Sequence, residues 1–80
     1  MTPEEYAKSH QKAFRIAFDF LNTHFPPGLD DEWWVQTAKD VGMAAESSGN
    51  NILTMELLNG VMNYFGHEYK RRTEHGTAGD

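Results

Sequence analysis

The sequence contains no cysteine, and that absence removes disulfides, thiolate metal ligands and cysteine nucleophiles together. A chain of 80 residues without covalent staples must hold itself by packing, and at this size only about 60% of the unfolded surface becomes buried. No apolar run approaches the ~20 residues of a membrane span. The opening MTPEEYAKSHQK lacks the basic and apolar segments of a secretory signal, which predicts a cytoplasmic protein. Catalytic signatures are missing too. Ser9, Ser47 and Ser48 stand outside any GxSxG-like context, and no glycine-rich loop follows a strand to cradle a phosphate. With neither strand scaffold nor cofactor motif, the expectation is a protein that is not an enzyme and has no catalytic residues, no cofactor and no metal.

Positive charge is scarce. Seven Lys and Arg stand against twelve Asp and Glu, for a net charge of −5. Residues 1–25 balance Glu4, Glu5 and Asp19 with Lys8, Lys12 and Arg15, and residues 57–80 balance Glu68, Glu74 and Asp80 with Lys70, Arg71 and Arg72. The middle holds the whole excess: Asp30, Asp31, Glu32, Asp40, Glu46 and Glu56 against Lys39. A phosphate backbone is repelled there. A solvated helix face with a capping cluster accounts for the run.

What is present is three helical stretches, and the longest, Asn51 to Glu74, organises the rest. On a helix at about 100° per residue, Leu53, Met55, Leu57, Leu58, Val61, Met62, Tyr64, Phe65 and Tyr69 share an arc roughly 200° wide. A surface helix ordinarily shows an apolar stripe of about 100° or a little more, so this helix is expected to touch neighbours on two sides. The first helix begins at Thr2-Pro3-Glu4-Glu5, a capping box with proline at the first helical position, with Met1 and Tyr6 at staple spacing. Tyr6, Ala13, Phe14, Ala17, Phe18, Leu21 and Phe25 recur at three- and four-residue steps, and Ile16 and Phe20 widen that arc to roughly 200° as well. Pro26-Pro27 ends the helix near His24.

Asp30 caps the second helix, with Leu29 and Trp34 at staple spacing. Its stripe is narrower: Trp34, Val35, Ala38, Val41, Gly42 and Ala45. Gly49 is a natural left-handed stop, and Asn50 or Asn51 caps the third helix. Two short connections favour antiparallel neighbours. The expected fold is all-α: one domain over residues 1–75, an antiparallel up-down-up three-helix bundle with helices at about 3–24, 31–48 and 51–74 and a disordered tail at 76–80. Glycine inside a helix costs about 1 kcal/mol relative to alanine, so Gly42, Gly60 and Gly66 suggest close crossings, with Gly42 against Gly60.

Two broad apolar arcs and one slim, small-sided helix do not match. The surplus is expected as exposed apolar surface, and such a patch usually marks a contact; Ile16, Phe20, Met55 and Met62 are its candidate residues, and a homodimer or a partner's helix its occupant. Trp33 is a second candidate. It lies about 100° from Trp34, beside Thr37, Asp40 and Ala44, with Gln36 and Met43 flanking. It is either an interaction anchor in an acidic field or a lid folded over Pro26 and Pro27.

Histidine gives little. His67 and His75 are about 12 Å apart along a helix, farther than the HExxH pair, and His10 and His24 are separated by most of helix one. His24 suits the last carbonyls of its helix, and a site joining His10 to Glu68 would have to be assembled between helices. The competing functional class is a helix-turn-helix-like nucleic-acid module reading bases with Asn59 and Asn63 of helix three. Its weakness is the acidic second helix, so the expected partner is another protein or a second copy rather than nucleic acid.

Overall fold

The computed structural model describes residues 1–77, with the side chains of residues 1–73. Among the described residues there are three helices: α1 (Pro3–His24), α2 (Asp31–Ser47) and α3 (Ile52–Thr77). Among the described residues no helix is long and apolar enough to cross a membrane. The three-helix, all-α architecture is the expected one. Three ends differ: α2 stops one residue earlier, α3 begins one residue later, and α3 runs three residues past the expected end. Residues 78–80 of the expected tail lie outside the described residues.

Each helix start follows from its capping residue. Thr2 Oγ1 accepts the Glu5 N–H while the Glu5 carboxylate accepts the Thr2 N–H, closing the capping box. The Asp30 carboxylate accepts the Trp33 N–H, and Asn51, not Asn50, caps α3 by accepting the Thr54 N–H. These bonds satisfy donors that the first helical turn leaves without carbonyl partners. Between α2 and α3 the chain reverses through Gly49 (φ 72°) and Asn50 (φ 56°). The Asn50 N–H donates to the Ala45 carbonyl and the Gly49 N–H to Glu46, the paired bonds of a Schellman stop. The Met1 and Leu29 side chains expected to staple the first two starts are exposed.

The up-down-up path makes α1 and α3 parallel, and two long-range bonds tie their matching ends. Asn51 Nδ2 donates to Ser9 Oγ at 3.2 Å near the start of both helices. Arg72 Nη1 donates to the Pro27 carbonyl at 3.1 Å near their far ends. α1 and α3 form the principal contact, and α2 lies along one side of the pair. Ala13 and Ala17 are buried on α1, and their small size lets it approach α3 closely.

The body measures 55 × 21 × 16 Å. Few residues can then be far from water. The fully enclosed apolar residues are Ala13, Ala17, Phe20, Leu58 and Phe65, joined by Thr37 and Thr54. At one end an aromatic run crosses the bundle. Trp34 meets Tyr69 edge-on (centroids 5.7 Å), Trp33 meets Phe65 (5.5 Å), and Phe25 stacks on Tyr64 (6.0 Å). The opposite end is small and polar, around Ser9, Asn51 and Thr54.

α2 presents a different side from the expected one. Trp33 and Trp34 bracket its inward face, with Thr37, Val41, Ala44 and Ala45 between or below them. Val35, Ala38 and Gly42, assigned to the buried stripe, are exposed. The pattern of small residues had pointed about 80° away from the true inward direction. Two adjacent tryptophans are best buried when the core lies between them, and their combined apolar area outweighs that of Val35 and Ala38. The close crossing of Gly42 and Gly60 is absent, since a Cβ added at Gly42, Gly60 or Gly66 would meet nothing within 4 Å.

Candidate interaction face

The surplus apolar surface exists, but on different side chains from those singled out. Phe20 is only 6% exposed and belongs to the core cluster with Leu58 and Phe65. Met62 packs against that cluster, and Ile16 is half-buried. Of the four residues named on α1 and α3, Met55 alone is exposed. The reason is the width of the arc on α1. Turning Ala13, Ala17 and Phe20 inward leaves the other edge of the arc outside: Phe14 is 58% exposed and Phe18 62%.

These two rings continue into a face shared with α3. At about 100° per residue, Phe14, Phe18, Leu21 and Phe25 fall within roughly 60° of one another on α1. This is the side away from α2, because His24 and Phe20, on α1's other edge, are the groups that reach it. Phe25 stacks on Tyr64 with an interplanar angle of 14°, and both remain 44% exposed. Leu21, Asn22, Phe25 and Tyr64 line a hollow of about 210 Å³ between the helices. With 150–250 Å² on each ring, four half-exposed aromatics leave on the order of 400 Å² of ring surface in water. An exposed apolar patch of this size is often functional.

The Trp33 face is less open than an anchor requires. Trp33 is half-buried against Phe65 and Trp34, and a Cβ on Gly28 would lie 2.5 Å from its ring. Its place is therefore under the α1–α2 connection, close to the lid arrangement. Gln36 and Met43 are exposed on the same helix. Asp40 is engaged within the chain, accepting from Gln36 Nε2 at 3.0 Å and from His24 Nε2 at 2.9 Å. The hydrogen bond from His24, then that from Gln36, holds the Asp40 carboxyl below its ordinary pKa.

The His24–Asp40 link was not legible in the sequence. His24 Nδ1 lies 2.9 Å from the Phe20 carbonyl, as expected for a helix-terminal histidine, and the ring stacks on Phe20 at 3.9 Å. That the opposite nitrogen would meet a carboxylate sixteen positions away depends on how α2 packs. His10 and Glu68 stand toward opposite ends of the parallel α1–α3 pair, so no site joins them. Among the described residues no group of three or more His, Asp or Glu is placed to hold a metal ion.

The cations at the end of α3 are committed locally. Arg71 donates to the Glu68 carboxylate at 2.9 Å, which lowers the glutamate's pKa and raises the arginine's, and Arg72 is held by Pro27. No protein-family model, curated protein or solved structure matches the chain.

Proposed function

We propose that this is a non-catalytic helical interaction module of the cytoplasm, which docks another protein, or itself, through the aromatic face of α1 and α3. One observation carries the reading: Phe14, Phe18, Phe25 and Tyr64 stand half in water on one side of the bundle. Fully burying one such side chain is worth about 1.5–3 kcal/mol. A chain with so small an enclosed core forgoes about half of that gain at each of four positions in its isolated form, and a partner would recover it. The Trp33 surface contributes less to the reading, since the ring is already used inside the chain.

Replacing Phe14 and Phe18 with glutamate tests the proposal. The wild-type chain should self-associate in sedimentation or capture a defined protein by cross-linking, and the double variant should lose that contact while keeping its helical circular dichroism. A wild-type chain that is monomeric and has the same cross-linked products as the double variant overturns the reading. Nucleic-acid binding, the competing class, predicts salt-sensitive retention on heparin that survives the Phe14 and Phe18 changes and is lost when Lys70, Arg71 and Arg72 become alanine. It is less well supported, because Arg71 and Arg72 already have partners within the chain.

A further inference from the structure

The exposed side of α1 keeps one regular seam along the length of the helix. Ala7, Gln11, Phe14, Phe18, Leu21 and Phe25 follow one another at steps of four, three, four, three and four residues. That is the 3.5-residue seam by which one helix packs lengthwise on another, each side chain seated between those of its neighbour. All but the half-buried Leu21 are exposed. The hollow bounded by Leu21, Asn22, Phe25 and Tyr64 lies at the far end of this seam, where it can take one large apolar side chain of an incoming helix.

The charges beside the seam select the occupant. The outer flanking row, one residue beyond each of Ala7, Phe14 and Leu21, is Lys8, Arg15 and Asn22. Lys8 and Arg15 are exposed and make no ion pair among the described residues. Lys12 and Asp19 lie in the next row out, and Glu4 stands at the N-terminal end of the seam. Toward α3 the border carries Glu56 and His67, with Arg71 paired to Glu68. A second copy is a poor fit. Docked antiparallel on the same seam, it would set Arg15 against its own symmetry mate. Docked parallel, it would face Lys8 and Arg15 with the row His10, Ala17 and His24, which holds no carboxylate.

We propose that the α1–α3 face binds an amphipathic helix of another protein whose apolar residues repeat on the α1 seam and whose flank toward Lys8 and Arg15 is acidic. This rests on the docking face proposed above and adds the partner's shape and charge. The net charge of −5 does not oppose it, because charges farther away than a screening length of ~8 Å at physiological salt count little. The acids of α2 lie across a body 21 × 16 Å in section. Within that length the outer flank of the seam carries Lys8, Lys12 and Arg15 against Asp19, with Glu4 at its end.

Two synthetic helical peptides serve as probes, both with leucine at the seam positions, one with glutamate and the other with lysine along the flanks. Each is titrated into the isotope-labelled full chain. The glutamate peptide should bind about tenfold more tightly at low salt, the scale set by two exposed charge pairs exchanged for two repulsions. It should shift the amides of residues 14–25 and 57–64. The preference should shrink at high salt and invert in the Lys8→Glu, Arg15→Glu variant, whose two sites are exposed and make no ion pair among the described residues. Equal or tighter binding of the lysine peptide, or shifts confined to the Trp33 side, overturns the proposal. If neither peptide binds and the chain is a dimer dispersed by Phe14→Glu, the acidic-helix occupant is wrong while the docking face stands. If neither peptide binds and that substitution also changes no association, both readings fail.

Discussion

The two sides of α1 carry side chains in the reverse of the usual order. Ala13 and Ala17 are turned inward, and Phe14 and Phe18, one position further on in each case, are turned to water. α3 follows the ordinary order, with Leu58 and Phe65 fully enclosed and Asn59 and Asn63 outside. The contrast shows that proximity and burial are separate demands. Small residues on α1 let the helix axes approach, and the apolar area that holds the chain together comes from Phe20, from α3 and from the two tryptophans of α2. Phe14 and Phe18 are then free for a contact outside the chain.

The largest effect should come from breaking the inner half of this contrast. Phe65→Ala empties the centre of the aromatic run and should cost about 3–5 kcal/mol, enough to unfold most of a marginal chain. Phe18→Ala on the outer side should change the stability of the monomer by no more than about 0.5 kcal/mol. Urea unfolding of both variants measures the difference, and similar losses would mean that Phe18 is packed within the chain.

Two glycines sharpen the same comparison. A methyl group at Gly28 would lie 2.5 Å from Trp33, so Gly28→Ala forces the ring or the turn to move and should cost about 1–3 kcal/mol. A methyl group at Gly60 meets nothing, and Gly60→Ala should stabilise the helix by up to about 1 kcal/mol. Thermal melts of the two variants should therefore move in opposite directions.

The smallest effect concerns the tie between α1 and α2. Because hydrogen bonds from His24 and Gln36 depress the pKa of Asp40, its contribution is present above the unfolded carboxyl value of about 3.9 and disappears as pH falls through the lower folded value. Melting temperature followed from pH 5 down to about pH 2 should decline more steeply in the wild type than in Asp40→Asn. Parallel curves would show that the link adds nothing to stability.

Most of the fold was legible because its signals are local. The capping box at Thr2, the Asp30 cap and the stop at Gly49 concern donors and acceptors within five residues of one another, so the sequence states them directly. The rotation of α2 was not legible. Its small residues mark one face and its tryptophans another, and the choice depends on which area the neighbours can cover. The candidate face was half legible: a surplus of apolar arc could be read from the spacing, while the edge left outside could not. Ile16 and Phe20 are as apolar as Phe14 and Phe18, and periodicity alone does not distinguish the two edges of a 200° arc.

By itself, then, the amino-acid order determined three helices, the caps of the first two, the parallel relation of the first and third, and the fact that too much apolar surface was available. Hydrogen bonding along a helix and the reach of a capping side chain operate within a few residues, and composition sets the total apolar area. Tertiary packing decided which rings that surplus falls on, because Ala13 and Ala17 let α1 settle against α3 in a rotation that encloses Phe20 and leaves Phe14 and Phe18 outside. It also brought His24 to Asp40, a contact that arises only once the helices lie side by side.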